Sequence, residues 1–216
     1  MNADTPIALV ADSHELFRAG VVALLTRDCG FARVVEAGSL DEALMLLDEH
    51  GDIRFACFDL AMPGIGTPLN LRSVREVFPK TRIAVIGGGN GREEIFLALR
   101  AGLHGYVPKA LGIAEIAAAF RLILDGGIFV PPSLADLSLP SDWAPSYEPS
   151  RPIGTEVRLT PRQQDVLRLI RSGKSNKEIA RTLGLTENTV KVHANALYRA
   201  LGVRDRTGAA QRADMP

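Results

Sequence analysis

Two aspartates and a lysine each follow a short apolar run: Asp12 after IALVA, Asp59 after RFACF and Lys109 after GYVP. In the stretch FACFDLAMPG, residues 55–64, the turn dipeptide Pro63-Gly64 comes soon after Asp59. A buried strand ends where its backbone leaves the core, so a carboxylate at that point is either a solvated strand end or part of a site. Which of these two interpretations applies to Asp59 depends on the residues at the ends of the other strands.

A polar helix face near the carboxyl terminus has side chains suited to reading DNA. Apolar residues recur at helical spacing and predict the stripe that packs inward: Val190, Ala194, Leu197 and Leu201. Amides can bond base edges bidentately, lysine can reach guanine or phosphate, and a valine methyl can contact thymine. The opposite face carries side chains of these kinds: Asn188, Lys191, Val192, Asn195 and Arg199. Thr189, His193 and the first-turn amide groups could hold phosphates.

The distribution of charge is uneven between the two parts of the chain. The first 150 residues hold 19 acidic and 12 basic side chains, whereas the last 66 hold 13 basic and 6 acidic ones. Such asymmetry suggests that the C-terminal part binds a polyanion, although charge alone is equally compatible with a solvated surface. Together with the polar helix face, it favours double-stranded DNA as the partner.

Five short apolar runs alternate with helical patterns over the first part of the chain. The runs lie at 7–12, 33–38, 54–59, 82–87 and 104–109, and the helical patterns at 14–27, 40–49, 68–77, 92–101 and 111–124. Strands that each lead into a helix predict an α/β fold, a (βα)5 doubly wound parallel sheet. Sites in such sheets form at the carboxyl ends of the strands, where Asp12, Asp59, Gly87 and Lys109 all fall.

An all-helical pattern follows a segment rich in proline and serine. Thr160 with Gln163 and Ser175 with Glu178 have the spacing of capping boxes, and each box opens a helix. Gly184 ends the second of these helices. Two helices joined by a short glycine-containing turn predict a helix-turn-helix, in a small all-α domain.

The chain has no pattern that predicts a membrane or secreted protein. No window holds the run of about 18 or more apolar residues that a membrane-spanning helix needs, and the N-terminus does not resemble a secretion signal. Cys29 and Cys57 have neither the spacing of a disulfide framework nor that of a zinc site. These features predict a cytoplasmic protein that does not contact a membrane.

Motifs in both parts of the chain resemble known families. The stretch LTPRQQDVLRLIRSGKSNKEIARTLGLTENTVKVHANALYRALGVRDRTGAA closely resembles the LuxR-type helix-turn-helix. The motifs VADSHELFRAG, FDLAMPG and GYVPKA resemble a response-regulator receiver of the NarL/FixJ family. The resemblance implies a receiver domain at 1–130, a linker at 131–157 and a DNA-binding domain at 158–216. It implies a non-enzymatic transcription regulator of a two-component system.

The resemblance also implies a role for the residues at the strand ends. Asp59 would accept a phosphoryl group from a sensor histidine kinase, and Mg²⁺ would be held by an acidic pair at the end of the first strand. A hydroxyl at the end of the fourth strand and Lys109 would hold the phosphoryl oxygens, and Tyr106 would be the aromatic switch. Two positions depart from this pattern: Ser13 replaces the second acidic residue, and Gly87 replaces the hydroxyl.

These departures weaken the expected chemistry. Phosphoryl transfer needs metal and cationic groups to neutralise charge on the equatorial oxygens, and Mg²⁺ prefers carboxylate ligands in octahedral geometry. Asp12 and Asp59 are then left as ligands of a weak Mg²⁺ site. We therefore predict a degenerate receiver that acts with weak or no dependence on phosphorylation of Asp59.

Other interpretations remain open. The chain could be a conventional phospho-switched regulator, or a ligand-binding or enzymatic α/β domain fused to a DNA reader. The stretch GGGNG at 87–91 is more typical of a flexible loop than of a phosphate cradle. His14 lies near the pocket, but a lone histidine there is more typical of a polar side chain in the first turn of a helix. One reading helix covers too few base pairs for useful specificity, so we expect a homodimer on paired half-sites.

Overall fold

The computed structural model describes residues 6–89, 92–134 and 159–212. Its N-terminal part is a parallel sheet of five strands in the order β2-β1-β3-β4-β5. The strands are β1 (Ile7–Ala11), β2 (Arg33–Ala37), β3 (Ile53–Asp59), β4 (Arg82–Gly87) and β5 (Gly105–Pro108). Parts of the predicted linker at 131–157 and of the glycine-rich stretch at 87–91 lie outside the described residues.

Five helices cover the two faces of the sheet, which confirms the predicted doubly wound fold. They are α1 (Glu15–Asp28), α2 (Leu40–His50), α3 (Leu71–Val77), α4 (Arg92–Arg100) and α5 (Ile113–Leu124). α1 and α5 pack on one face, and α2, α3 and α4 pack on the other. Nearly all strand residues of β1, β3, β4 and β5 are buried, because helices exclude water from both sides.

The third helix begins later than its sequence pattern predicts. Pro68–Asn70 forms a 3₁₀ turn, and α3 starts only at Leu71. Pro68 occupies the first position of this turn, but the side chain of the preceding Thr67 accepts no capping hydrogen bond. The Asn70 amide instead bonds the carbonyl oxygen of Ile65 at 2.7 Å, which holds the tight turn.

Four further helices form the C-terminal part, as the sequence predicts. They are α6 (Pro161–Arg171), α7 (Asn176–Leu183), α8 (Glu187–Leu201) and α9 (Arg206–Arg212). Both predicted capping boxes are present at the starts of α6 and α7. Gly184 ends α7 with a φ of 66°, a left-handed conformation that favours glycine, and the chain turns into α8.

The two parts of the chain pack against each other through α8. This helix lies on α2 and α3, and Val192 on its outer face is only 2% exposed. Val192 belongs to the same apolar cluster as Leu44 and Leu71 of the sheet domain. No helix in the described part of the chain is long and apolar enough to cross a membrane.

Candidate functional site

The parallel register brings the two predicted carboxylates to the same edge of the sheet. Ala11 at the end of β1 pairs with Phe58 on β3, so Asp12 comes level with Asp59. Lys109 follows the last residue of β5 at this edge. Asp12 and Asp59 are 2% and 1% exposed, and the strand ends therefore hold two buried carboxylates.

Lys109 lies between these carboxylates. Its ammonium nitrogen donates to Asp12 Oδ2 at 2.8 Å and lies 3.0 Å from Asp59 Oδ1. The same nitrogen is 4.3 Å from the centre of the Phe17 ring. Burial lowers the pKa of Lys109, but the contacts with the two carboxylates outweigh burial and raise it. Lys109 is therefore charged and neutralises half of the pocket's negative charge.

Asp59 has unusually few partners for a buried carboxylate. Neither of its side-chain oxygens has a hydrogen-bond partner among the described residues, because the contact with Lys109 lacks hydrogen-bond alignment. A buried charge normally has both an ion pair and hydrogen bonds. On the other side of Asp59, His14 Nδ1 lies 3.9 Å from Oδ2.

His14 lies at the pocket, where its position in the sequence predicts a nearby residue with the role of a polar first-turn side chain. Its backbone N–H donates to Asp12 Oδ1 at 2.7 Å, and its Nδ1 lies 3.3 Å from the same oxygen. The ring is 69% exposed, so one side of the pocket is open to water. The signal in the sequence is its place two residues after Asp12, within the loop that leads from β1 into α1.

The pocket contains an acidic cluster of a kind that could hold a cation. Mg²⁺ prefers six oxygen ligands in near-ideal octahedral geometry. Lys109 already contacts one oxygen of each carboxylate, and the neighbour of Asp12 is Ser13, an exposed neutral side chain. Among the carboxylate and imidazole side chains of the described residues, the donors that remain are one oxygen each from Asp12 and Asp59 and an imidazole nitrogen of His14.

Tyr106 fills the space that a side chain at position 87 would occupy. A Cβ on Gly87 would overlap the Tyr106 hydroxyl oxygen and lie 2.6 Å from its Cζ. Tyr106 is fully buried, and its hydroxyl lies 2.6 Å from the carbonyl oxygen of Gly89 and 2.9 Å from Glu94 Oε2. The sequence predicts that a hydroxyl contact is missing at Gly87, and in the structure the Tyr106 side chain from β5 fills that position.

Burial of Tyr106 has an electrostatic consequence for the pocket. Burial, the hydrogen bond to Glu94 and the charge of Asp59 all raise the pKa of the Tyr106 hydroxyl. The hydroxyl therefore keeps its proton and acts as a donor at neutral pH. This bond ties β5 to α4, which carries Glu94.

The outer face of α8 is engaged by the sheet domain. Asn188 donates to Asp48 Oδ1 at 2.5 Å, and His193 Nε2 lies 2.7 Å from Asp41 Oδ1. Arg199 donates to Glu76 Oε2 at 2.9 Å and also bonds the hydroxyl of buried Ser73. With Val192 buried between the two domains, four of the seven predicted DNA-reading residues contact α2 or α3.

The other three predicted DNA-reading residues have different surroundings. Thr189 is buried, and its backbone N–H and hydroxyl contact the Thr186 hydroxyl at the start of α8. Lys191 is exposed and donates to Asn188 Oδ1 at 3.1 Å, and Asn195 is half-buried. Thr189 therefore stabilises the helix start rather than facing outward.

Asp41 is the central charge of the contact between the domains. Besides His193, it binds Arg162 at the start of α6, with Nε 2.6 Å from Asp41 Oδ2. Burial raises the pKa of Asp41, but the hydrogen bonds and charges of His193 and Arg162 outweigh burial and lower it. The carboxylate stays ionised in the docked arrangement and binds two groups from the C-terminal domain.

Comparison with known families matches both parts of the chain. Residues 8–121 match the response regulator receiver domain, and residues 157–213 match the bacterial regulatory proteins of the luxR family. The chain is 31% identical over 209 residues to the nitrate/nitrite response regulator protein NarL of Escherichia coli strain K12, covering 97% of this chain and 95% of the relative.

A second relative and a solved structure have similar coverage. The glycerol metabolism activator of Pseudomonas putida is 30% identical over 203 residues, which covers 93% of this chain and 91% of that protein. The crystal structure of the Salmonella typhimurium RcsB response regulator aligns with a TM-score of 0.56, over 99% of this chain and 100% of that one. Its sequence identity is 22%, so this likeness concerns the fold.

Proposed function

The chain belongs to the response regulators that join a receiver to a luxR-family DNA-binding domain, and we propose that its receiver controls transcription by covering the DNA-reading helix α8. One observation carries the proposal: four of the seven predicted DNA-reading residues of α8 contact α2 or α3 of the receiver. A helix in this position cannot enter a major groove, because DNA and the receiver need the same surface.

Release of α8 would produce a reader of double-stranded DNA. Asn188 and Asn195 would bond base edges, Lys191 and Arg199 would reach guanine or phosphate, and Val192 would contact a thymine methyl. His193 and the first-turn amide groups would hold phosphates. The acidic partners on the receiver, Asp41, Asp48 and Glu76, occupy the positions that phosphates or bases would take.

We propose that phosphorylation of Asp59 has little influence on this release. Mg²⁺ would bind weakly, because Asp12 and Asp59 offer it only one oxygen each that Lys109 does not contact, and Ser13 adds no charge. The position of the family's hydroxyl is filled by Tyr106, whose hydroxyl is bonded to Gly89 and Glu94. The Tyr106 hydroxyl is already held in one arrangement, so a phosphoryl group on Asp59 would change few of its contacts. A ligand shifts a conformational equilibrium only through contacts that differ between the two states.

The alternative is a conventional switch in which a sensor histidine kinase phosphorylates Asp59. Buried Asp59 with Lys109 beside it is the observation that favours this alternative. Acetyl phosphate labelling in Mg²⁺ separates the two functions, since near-complete labelling with a DNA-affinity gain that Asp59→Asn removes supports the switch. We propose no enzymatic role, because the relatives are transcriptional regulators.

We also propose that the chain works on DNA as a homodimer. The α1 and α5 face lies away from the docked α8, and it carries exposed Leu16 and Ile113 beside an apolar groove of about 310 Å³. A second copy of the chain would cover these side chains and pair two reading helices for adjacent half-sites. Sedimentation tests this proposal by comparing the mass of Leu16→Glu with that of wild type. Equal masses of the two proteins, both with and without DNA, would contradict it.

The test of the covered helix compares DNA affinities of the full chain and interface variants, measured with a pool of random duplexes at low salt. Asp41→Ala breaks the contacts with His193 and Arg162 and should raise affinity about fivefold or more, since one such contact contributes about 1 kcal/mol or more. Glu49→Ala removes one negative charge from an exposed position on the same helix and is the matched control. Equal affinities for the two variants would overturn the proposal.

A further inference from the structure

We propose that a basic groove between α3 and the C-terminal end of α4 binds a small molecule that carries a diphosphate group. The groove has a volume of about 320 Å³ and is lined by Arg72, Arg75, Glu76, Arg100, Ala101 and Gly102. Pockets for small molecules have volumes of about 300–1,000 Å³, so this one suits a compact ligand. The proposal goes beyond the control of DNA binding and does not depend on it.

The positive charge of this groove exceeds the negative charge beside it. Three arginines and one glutamate line it, which leaves two positive charges in excess. The glutamate is already shared, because Arg72 Nε donates to Glu76 Oε1 at 3.0 Å and Arg199 of α8 donates to Oε2 at 2.9 Å. The C-terminal end of α4 adds only about half a negative charge. The groove therefore attracts an anion with more than one negative charge.

Two of the arginines are available to such an anion. Arg75 and Arg100 are exposed and form no ion pair with a carboxylate of the described residues. Arg75 is nevertheless held in place, since a Cβ on Gly102 would overlap its Nη1 and the guanidinium group thus lies against the glycine backbone. Gly102 has a φ of 75°, which other residues rarely adopt. A guanidinium group positioned in this way loses little conformational freedom when it binds a ligand.

His104 gives an independent sign of the uncompensated charge. Burial and the charges of Arg82 and Arg75 lower the pKa of its imidazole. Its Nδ1 accepts a hydrogen bond from the backbone N–H of Ile83 at 2.9 Å, which the neutral ring can do. A bound anion would offset the charge of Arg75 and raise the pKa of His104 towards its ordinary value.

The donor set determines the class of ligand. A guanidinium group binds phosphate oxygens through two parallel N–H donors, in a geometry that lysine cannot provide. A diphosphate group carries more negative charge than a single carboxylate and has enough oxygen atoms to contact more than one arginine. Inorganic pyrophosphate and a nucleoside diphosphate share this chemistry.

The test is calorimetric titration of the full chain with inorganic pyrophosphate at low salt, without DNA or divalent metal ions. Arg75→Gln and Arg100→Gln should each weaken binding about fivefold or more, because each removes a charge-assisted contact with phosphate. Arg75→Lys keeps the charge but loses the planar fork, and should weaken binding about threefold or more. Arg92→Gln makes the same change of charge at the exposed other end of α4 and is the matched control. A parallel titration with ADP distinguishes a nucleotide from the inorganic anion, since tighter binding of ADP identifies the nucleotide.

Proton NMR of the histidine rings gives a second readout that surface charge alone would not produce. Pyrophosphate should raise the pKa of His104 and leave the signals of His14 and His50 unchanged. Arg100→Gln should reduce the response of His104, because less of the anion is then bound at a given concentration.

The proposal is overturned if Arg75→Gln and Arg100→Gln lose no more pyrophosphate affinity than Arg92→Gln, or if the pKa of His104 does not respond to pyrophosphate. It is also wrong if the two variants weaken DNA binding and leave pyrophosphate binding unchanged, since the groove would then contact the DNA backbone. None of these outcomes depends on whether α8 is covered by the receiver.

Discussion

Gly87→Ala should destabilise the receiver far more than its single methyl group suggests. The new Cβ would overlap the Tyr106 hydroxyl oxygen and lie 2.6 Å from Cζ and 3.0 Å from Cε2. Since these are atoms of a fully buried ring, the tyrosine has to move and lose its contacts with Gly89 and Glu94. Overpacking a core costs about 1–3 kcal/mol, and the lost hydrogen bonds add about 1 kcal/mol, so we expect a loss of about 2–4 kcal/mol.

Hydrogen exchange of the β4 and β5 amides in the full chain measures this loss without interference from the DNA-binding domain. Gly88→Ala is the matched control, because a Cβ at that position meets nothing within 4 Å. We expect the control to stay within about 0.5 kcal/mol of wild type.

A double-mutant cycle attributes the loss to Tyr106. In the Tyr106→Ala background the obstruction is gone, and Gly87→Ala should cost less than about 1 kcal/mol, which gives an interaction energy of about 1–3 kcal/mol. In the Tyr106→Phe background the cost should remain, because the ring carbon still lies too close. Equal stability of Gly87→Ala and Gly88→Ala would refute the reasoning.

Four other substitutions test the remaining contacts. Asp59→Asn should leave DNA affinity within about threefold, under ~0.7 kcal/mol, as measured by fluorescence anisotropy, and acetyl phosphate should label wild type poorly. Asp41→Asn should reduce cross-linking between the domains at neutral pH. Its difference from wild type should vanish as pH falls through the lowered pKa of Asp41, because only the ionised carboxylate stabilises docking. In the fragment 155–216, Lys191→Ala should flatten the salt dependence of DNA binding by about 0.9 per lost phosphate contact, whereas Asn195→Ala should relax sequence preference in a selection assay.

Local sequence patterns were sufficient for the elements of the fold. The apolar runs and capping boxes predicted every strand of the sheet and the helix-turn-helix, because both signals depend on neighbouring residues. The start of α3 was missed, since the Asn70 bond to Ile65 that holds the preceding turn arises only in the folded loop. Parallel register explains why Asp12 and Asp59 could be expected at one edge.

Side-chain directions in the candidate site could not be predicted in the same way. Whether His14 faces the pocket depends on the turn between β1 and α1, and whether Tyr106 points under Gly87 depends on packing between two strands. The docking of α8 depends on residues more than 120 positions apart, such as Asp41 and Arg162. A periodic pattern shows which face of a helix is polar but not what that face will contact.

The receiver surface formed by α2 and α3 is a binding site with its own occupant, namely α8 of the same chain. Any protein or small molecule that binds this surface must displace α8 and would therefore favour DNA binding. The coupling is reciprocal, so DNA must strengthen the binding of that competitor by the same factor. When the regulator is bound to its promoter, the receiver surface that Val192 otherwise covers would be open to neighbouring proteins. In the absence of DNA, α8 closes this surface to them.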